Sequence, residues 1–190
     1  MSLLAGEPWE EKRFEKWTRK EVDKILHDSP WARPARLRGI DISGGNLYVR
    51  WASARTIQQA LVRRGLLMGT MSTTKTEPIL AEPEPEHLIV LFGRDVRIAA
   101  FKTLTEDGVR KDAYLELSRT KERIPASEVE IIRDGTMPMG IAFRFPRQLG
   151  QQPSIPADES RVKFFCQLAE AYVSIQFDLR KMVRDGKPDL

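Results

Sequence analysis

Residues 161–177 read RVKFFCQLAEAYVSIQF, and their pattern decides whether this part of the chain is helical or β. A helix would gather one apolar face from Val162, Phe165, Cys166, Ala169 and Val173. A hairpin would pair alternate apolar residues on two strands, Val162, Phe164, Cys166 and Leu168 with Val173, Ile175 and Phe177. The aromatic and β-branched content favours the hairpin. Because Ala169-Glu170 is poor chemistry for a two-residue turn, we expect a longer loop between the strands.

The segment before this hairpin also alternates between apolar and polar residues, as half-buried strands do. The alternating apolar residues are Ala113, Leu115 and Leu117, then Val129 and Ile131, then Ile141, Phe143 and Phe145. Asp134-Gly135 predicts a turn between the last two runs. The continuously apolar run Leu88–Phe92 predicts a buried strand, and residues 146–156 predict a loop.

The N-terminal part predicts one well-marked helix. Thr18 and Glu21 have the spacing of a capping box, with Trp17 and Val22 at the positions of a hydrophobic staple. An apolar face follows at Val22, Ile25 and Leu26. Ser29-Pro30 predicts its end, because a residue before proline disfavours the helical conformation.

Gly44-Gly45 predicts a two-residue hairpin loop between 36–43 and 46–51. That register pairs Ile42 with Leu47, Ile40 with Val49 and Arg38 with Trp51, and places Asp41 opposite Tyr48. It brings Arg38 against Trp51 in a cation–π contact. Further helices are predicted at 54–64 with Ser53 as cap, at 96–104 with Asp95 as cap, and at 179–184.

These elements predict an α+β fold. We expect an N-terminal helix and a mainly antiparallel β-sandwich or half-open barrel of about seven or eight strands, with one or two packed helices. Residues 1–190 are expected to form a single domain. Within it, residues 67–87 are rich in Gly, Ser, Thr, Pro and Glu and predict a surface loop or linker.

Composition narrows the class of protein. The chain has 190 residues, 41% of them hydrophobic and 31% charged, as in an ordinary globular domain. The formal net charge is 31 − 27 = +4. No apolar run approaches the roughly 20 residues that a transmembrane helix needs. With Cys166 as its single cysteine the chain cannot form an internal disulfide.

No catalytic, cofactor or metal motif stands in the sequence. His27 and His87 are about sixty residues apart and match no metal-ligand spacing. Cys166 falls on the inner face of the predicted hairpin, where a cysteine acts as a small hydrophobe. We therefore predict no catalytic residue, no cofactor and no metal.

One charge imbalance is informative. Between residues 29 and 66 stand seven arginines, Arg33, Arg36, Arg38, Arg50, Arg55, Arg63 and Arg64, against the single acid Asp41. Aromatic residues are interleaved, and such a pattern can bind single-stranded nucleic acid or an acidic polymer. The candidate ligand surface is Trp31, Arg38, Tyr48, Arg50, Trp51 and Arg55. The competing interpretation is internal, with the four glutamates of residues 77–86 lying across the patch.

Several segments resemble an uncharacterised family of bacterial proteins, common in soil species, whose members usually carry a predicted signal peptide. The matching residues are Trp17-Thr18, KILHDSPWA at 24–32 and VRWASA at 49–54, with weaker matches FRFPR at 143–147 and FDLRKMV at 177–183. The resemblance implies a periplasmic or secreted protein and brings no activity with it. A cytoplasmic protein is the alternative.

The leading hypothesis is a non-enzymatic extracytoplasmic binding or protein-interaction module, with another envelope protein as the candidate partner. The mild net charge disfavours nucleic acid, which stays as the alternative through the arginine-rich stretch 29–66. A third hypothesis is an enzyme whose site assembles only in the fold.

Overall fold

Alternating apolar residues build two antiparallel sheets that pack face to face. The computed structural model describes residues 6–40, 46–72, 80, 84–93 and 101–190. The first sheet has five strands in the order β1-β2-β3-β7-β6 and the second has four in the order β11-β10-β4-β5. This confirms the predicted α+β, mainly antiparallel and sandwich-like fold.

The strands of the first sheet are β1 (Ala32–Ala35), β2 (Leu47–Trp51), β3 (His87–Gly93), β6 (Glu128–Asp134) and β7 (Met137–Phe145). The strands of the second are β4 (Ala113–Leu117), β5 (Arg123–Pro125), β10 (Arg161–Leu168) and β11 (Ala171–Asp178). Two small ribbons are β8 (Gln148–Leu149) with β9 (Gln152–Pro153), and β12 (Val183–Arg184) with β13 (Lys187–Pro188). The α-helices of the described residues are α1 (Pro8–Glu11), α2 (Arg19–His27), α3 (Arg55–Leu67) and α4 (Glu106–Lys111). None of these helices is long and apolar enough to cross a membrane.

The hairpin of 161–178 has the predicted register. Cys166 is opposite Val173, Phe164 opposite Ile175 and Val162 opposite Phe177. The expected longer loop is wrong, because Leu168 pairs with Ala171 and only Ala169-Glu170 connect the strands. Ala169 takes a left-handed φ of 55°, which two-residue hairpin turns require and which an alanine adopts at some cost.

The core lies between the two sheets and is rich in aromatic rings. Phe143 of β7 meets Phe164 of β10 edge to face, with ring centroids 5.0 Å apart. Trp51 meets Phe177 in the same way at 5.3 Å. All four side chains are fully buried. Edge-to-face contacts add to the stabilisation that burial of these large rings already gives.

Helix α2 packs on the other face of the first sheet and begins and ends as its sequence predicts. The Thr18 hydroxyl accepts from the Glu21 N–H at 3.3 Å, and the Glu21 carboxylate accepts from the Thr18 N–H at 2.8 Å. Trp17 and Val22, the staple residues, are both buried. The helix ends at His27, two residues before Ser29-Pro30.

The buried guanidinium of Arg50 joins α2 to the sheet. It donates to the Leu26 carbonyl from Nε at 3.2 Å and Nη2 at 2.9 Å, and it lies 4.1 Å from the centre of the Phe92 ring. The C-terminal carbonyls of a helix and the face of an aromatic ring both attract a cation. Burial lowers the pKa of Arg50 from its ordinary value, and the nearby charge of Arg64 lowers it further.

The hairpin predicted around Gly44-Gly45 is wrong in its partner. Strand β2 pairs with β1, so that Val49 lies opposite Arg33 instead of Ile40. Arg38 pairs with Tyr172 of the second sheet and not with Trp51. The predicted turn, with Asp41 and Ile42, lies outside the described residues. The local pattern favoured the short glycine loop, and only the tertiary structure brings the distant β11 to Arg38.

The other predicted helices differ from the structure in their bounds, caps or type. Helix α3 begins at Arg55 and continues to Leu67, beyond the predicted 64. Ser53 does not cap it, since its hydroxyl accepts from the Leu88 N–H at 3.1 Å. Of the predicted helix 96–104, the cap Asp95 and residues 96–100 lie outside the described residues, and 101–104 form a turn. The predicted helix 179–184 is a 3-10 turn, Leu179–Lys181, followed by β12.

Candidate functional site

The two sheets meet along one side through a pair of hydrogen bonds. The Arg38 N–H donates to the Tyr172 carbonyl and the Tyr172 N–H donates to the Arg38 carbonyl, both at 2.9 Å. Beyond this bridge, β1 and β11 remain neighbours but do not pair. An opening is left toward the end of β11, between Arg33 on one side and Gln176 and Asp178 on the other.

The outward edge of β11 carries main-chain groups that the ladder with β10 does not use. In an antiparallel ladder, successive residues direct their N–H and C=O groups to alternate sides of the strand. Tyr172 directs its groups away from β10, toward Arg38, so Ser174 and Gln176 do the same. Beyond the ladder with β10, no hydrogen bond joins the main chain of Ser174 or Gln176 to another described residue.

A groove of about 1100 Å³ lies in this opening, and we call it the seam groove. Arg33 of β1 stands on one wall, and Gln176 and Asp178 of β11 stand on the other. The segments around α1, at the end of α2 and after β11 complete it. The full lining is Glu7, Trp9, Glu10, Lys24, Asp28, Ser29, Pro30, Arg33, Arg161, Gln176, Asp178, Arg180, Lys181, Val183, Arg184, Asp185 and Gly186.

Some charged side chains of the seam groove neutralise one another. Lys24 pairs with Glu7 at 2.5 Å, Arg180 with Asp178 at 2.8 Å and Arg184 with Asp185 at 3.6 Å. The hydrogen bond from Arg180 lowers the pKa of Asp178. This carboxylate is therefore ionised at neutral pH.

Three basic side chains of the groove are left over. Arg33, Arg161 and Lys181 are exposed and form no ion pair with any described residue. Two acidic residues of the groove, Glu10 and Asp28, are likewise exposed and form no ion pair with any described residue. Arg161 lies opposite Asp178 in the hairpin register, so the cation stands where β11 ends. Three unpaired cations against two unpaired acids leave the groove an excess of one positive charge, 3 − 2 = +1.

The structure does not bring the six residues predicted as a ligand surface together on one exposed face. Trp31 and Trp51 are fully buried, and the Trp31 indole donates to the Asp189 carbonyl at 2.7 Å. Arg50 is only 6% exposed and is held under α2. The rest are divided: Tyr48 stacks on Phe92, Arg38 is exposed at the bridge, and Arg55 lies beside the Leu80 carbonyl.

A second polar region is enclosed near the start of α3. The His87 ring lies 5.4 Å from the Trp51 ring, and His87 is 4% exposed. Burial, and then the charge of Arg147, lower the pKa of His87 to about 3. Among the described residues four buried polar atoms make no hydrogen bond: Trp51 Nε1, Thr56 Oγ1, His87 Nδ1 and Ser154 Oγ. Because these four atoms are buried, they offer no surface to a macromolecule.

The remaining reactive groups lie apart from the seam groove. Cys166 is fully buried, and burial raises the pKa of its thiol. His27 Nδ1 lies 2.9 Å from the Asp23 carbonyl oxygen on α2. Within the described ranges no three His, Cys, Asp or Glu side chains are placed to hold a metal ion.

Sequence reasoning missed most of the seam groove, although part of it had a signal. The hairpin register that pairs Val162 with Phe177 also places Arg161 beside Asp178. Arg33 stood within the arginine-rich stretch. The contributions of Glu7, Lys24 and the segment 180–186 come from opposite ends of the chain, and only the fold joins them.

The seam groove is the candidate site because of its own geometry: its place at the end of β11, a large volume and unpaired cations. Comparison of the chain with models of known protein families, with curated proteins and with solved structures finds no match.

Proposed function

We propose that the protein is a non-enzymatic binding module that holds part of a partner protein in the seam groove, and that it acts in the periplasm or outside the cell. The observation that carries the binding role is a groove of about 1100 Å³ at the end of β11, in which three exposed cations, Arg33, Arg161 and Lys181, form no ion pair with a described residue. The compartment is supported by the resemblance of residues 24–32 and 49–54 to bacterial proteins with predicted signal peptides.

Binding fits the groove better than chemistry does. Proton transfer at neutral pH needs a group that titrates near pH 7 within reach of a substrate. In the groove, Asp178 is held ionised by Arg180. The buried His87 and Cys166 have pKa values shifted away from neutrality and line no part of the groove. Fixed charges and main-chain donors recognise a partner without reacting with it.

A photocrosslinking amino acid at Gln176 tests this proposal in the native host. We expect one specific protein adduct, which Arg33→Glu and Arg161→Glu together reduce strongly by removing the unpaired cations. The matched control places the same amino acid at Lys121, an exposed residue outside the groove. Equal adducts from both positions, or an adduct indifferent to the two charge reversals, would overturn the binding role. Fractionation of the same cells locates the protein and tests the compartment.

The alternative is an acidic polymer or nucleic acid bound through residues 29–66, and one observation favours it: Arg33, Arg36 and Arg38 are exposed. The aromatic component of that hypothesis is reduced, because Trp31 and Trp51 are core residues. A titration with a mixed-sequence oligonucleotide at low and high salt tests it. Tight binding that falls steeply with salt would put this alternative first.

As far as its described residues go, the acidic segment contacts the arginine-rich stretch at Arg55, which donates to the Leu80 carbonyl, while its two described glutamates pair elsewhere. Glu84 lies 3.5 Å from Arg144, and the Glu86 carboxylate accepts from the Ser127 hydroxyl at 2.6 Å. Both partners lie outside 29–66. Glu77 and Glu82 are outside the described residues.

A further inference from the structure

We infer that a groove between α3 and β3 binds the anion of a fatty acid, with the alkyl tail between helix and sheet and the carboxylate on Arg64. This groove has a volume of about 740 Å³, and we call it the apolar groove. No described residue lines both the apolar groove and the seam groove. The inference therefore goes beyond the proposed function and does not depend on it.

One wall of the apolar groove is a stripe along α3. Leu61, Gly65 and Met68 are spaced by four and three residues, which places them on one side of a helix. The chain turns back at Gly69, whose φ is 69°, and Met71 packs so close that a Cβ on Gly65 would lie 2.9 Å from the Met71 Cβ. Met68 is 58% exposed. Methionine side chains are flexible and adapt to the shape of an apolar ligand.

The other wall is the outer face of β3. Ile89 and Leu91 point into the core between the sheets and are fully buried. Leu88 and Val90 alternate with them, point to the outer face and are only partly buried. Both line the apolar groove. Apolar side chains on two sides favour an alkyl tail, because each CH₂ group that leaves water strengthens binding.

The size of the apolar groove fits one such tail. Its lining residues on and just after α3 run from Gln58 to Met68, and at 1.5 Å per residue this is roughly 15 Å. With C–C bonds of about 1.5 Å in a zigzag, an extended chain of about twelve carbons is similarly long. The volume lies within the range of roughly 300–1,000 Å³ that is typical of small-molecule sites.

Arg64 indicates the charge of the ligand. Its guanidinium is half-buried and forms no ion pair or hydrogen bond with any described residue. Glu84, the one acidic residue of the described lining, lies 3.5 Å from Arg144 and is paired with it. Arg64 is also close enough to the buried Arg50 to lower the pKa of that residue, so an anion on Arg64 would offset a repulsion between two cations.

These features match the chemistry of a fatty acid. A guanidinium binds a carboxylate through two parallel hydrogen bonds, and a partly desolvated site strengthens them. The apolar walls then cover the tail. One cation without a partner, beside apolar walls of one tail's length, selects a ligand with a single anionic group.

Calorimetry of the full chain with decanoate and dodecanoate, each below its micelle concentration, tests the inference. We expect one dodecanoate bound per chain. Each added CH₂ should strengthen binding about fourfold, and this gain should fall off beyond about twelve carbons. Dodecyltrimethylammonium, with the same tail and the opposite charge, should bind at least about tenfold more weakly. In methyl NMR the signals of Met68 and Met71 should shift with dodecanoate.

Protein variants separate the charge from the apolar walls. Arg64→Gln should weaken dodecanoate binding about tenfold or more, and Arg36→Gln, at an exposed arginine outside the groove, should not. Met68→Ser should weaken it about fivefold. Its matched control is Leu149→Ser, since Leu149 is 51% exposed and lies outside the groove. Neither Arg64 nor Met68 is fully buried, so both variants should fold.

Three results would overturn the inference. One is that dodecanoate does not bind in a saturable way. The second is an affinity that does not change with chain length. The third is binding that Arg64→Gln and Met68→Ser leave unchanged, which would be adsorption elsewhere on the surface.

A protein dimer that Met68→Ser dissociates, without dodecanoate binding, would instead assign the apolar groove to a second copy of the chain. The photocrosslink from Gln176 tests the seam groove separately, so the failure of either proposal leaves the other standing.

Discussion

Asp189 caps helix α3 at Thr56, whose N–H donates to the Asp189 carboxylate at 3.0 Å although 133 residues separate the two in the chain. The other carboxylate oxygen accepts from the Arg55 N–H at 2.6 Å. Ala54, at the N-cap position, has no side-chain acceptor of its own. A carboxylate 8% exposed therefore satisfies two main-chain donors of the first turn and interacts favourably with the helix dipole.

Removing this cap should destabilise the protein. We expect Asp189→Ala to lower the free energy of unfolding by about 1–2 kcal/mol, as loss of other N-caps does. Asp189→Asn keeps a hydrogen-bond acceptor but loses the charge, so its free energy of unfolding should lie between those of the wild type and Asp189→Ala. Urea denaturation measures the wild type and both variants, with Glu130→Ala at an exposed position of β6 as the control. A midpoint that Asp189→Ala leaves in place would mean that the cap contributes nothing.

His87 should make the protein less stable in acid. In the folded state burial lowers its pKa to about 3, whereas its ordinary value is 6.5. Below pH 6.5 the unfolded chain binds a proton that the folded protein excludes, so stability is highest above pH 6.5 and is lost as pH falls toward 3. The slope should approach about 1.4 kcal/mol per pH unit below pH 6.

Denaturation of wild type and His87→Gln between pH 7 and 5 measures that slope. The variant should have a much shallower dependence there, since carboxylates such as Glu21 bind protons in the unfolded chain mainly below pH 5, near their ordinary pKa of 4.5. Parallel curves for the two proteins would show that His87 is not the group responsible.

Cys166 should be inert in the folded protein. Its thiol is fully buried between the sheets, and burial raises its pKa, so reactive thiolate is scarce. Labelling with a thiol reagent should be slow in native buffer and fast in denaturant. Gln176→Cys in a Cys166→Ala background gives a matched exposed thiol on the same hairpin, which should label quickly. Rapid native labelling of Cys166 would contradict the packing of β10.

The capping box of α2 should contribute to stability. Thr18→Ala removes the acceptor for the Glu21 N–H and should cost about 1 kcal/mol. Lys20→Ala, in the same exposed turn, should leave stability nearly unchanged. A double-mutant cycle with Glu21→Ala measures the coupling of the two side chains. Additive effects would show that the box does not act as a unit.

Local patterns were enough to predict the sheets but not their edges. The alternation in 161–177 gave the register of β10 with β11, because a slip by one residue would turn Phe164 and Cys166 away from the core. The same alternation could not show that Ala169 would accept a left-handed φ. There the pairing along two eight-residue strands outweighs poor turn chemistry.

The candidate site was harder to predict for a related reason. In sequence, Trp31, Arg50 and Trp51 resemble a binding surface. In the structure, the two tryptophans are buried in the core and Arg50 donates to a carbonyl at the end of α2. Exposed cations such as Lys181 carry no local signal at all. What distinguishes them is the absence of an ion-pair partner among the described residues, and that depends on the whole fold.

The hydrogen bond from the Trp31 indole to the Asp189 carbonyl also bears on how the protein is made. It joins residues 158 positions apart. During synthesis the α2–β1 region leaves the ribosome long before Asp189 does. The Trp31 indole and the first turn of α3 therefore lack their hydrogen-bond acceptor until Asp189 has been added. Because contacts of such long sequence separation slow folding, the chain should complete its structure only after its synthesis has passed residue 189.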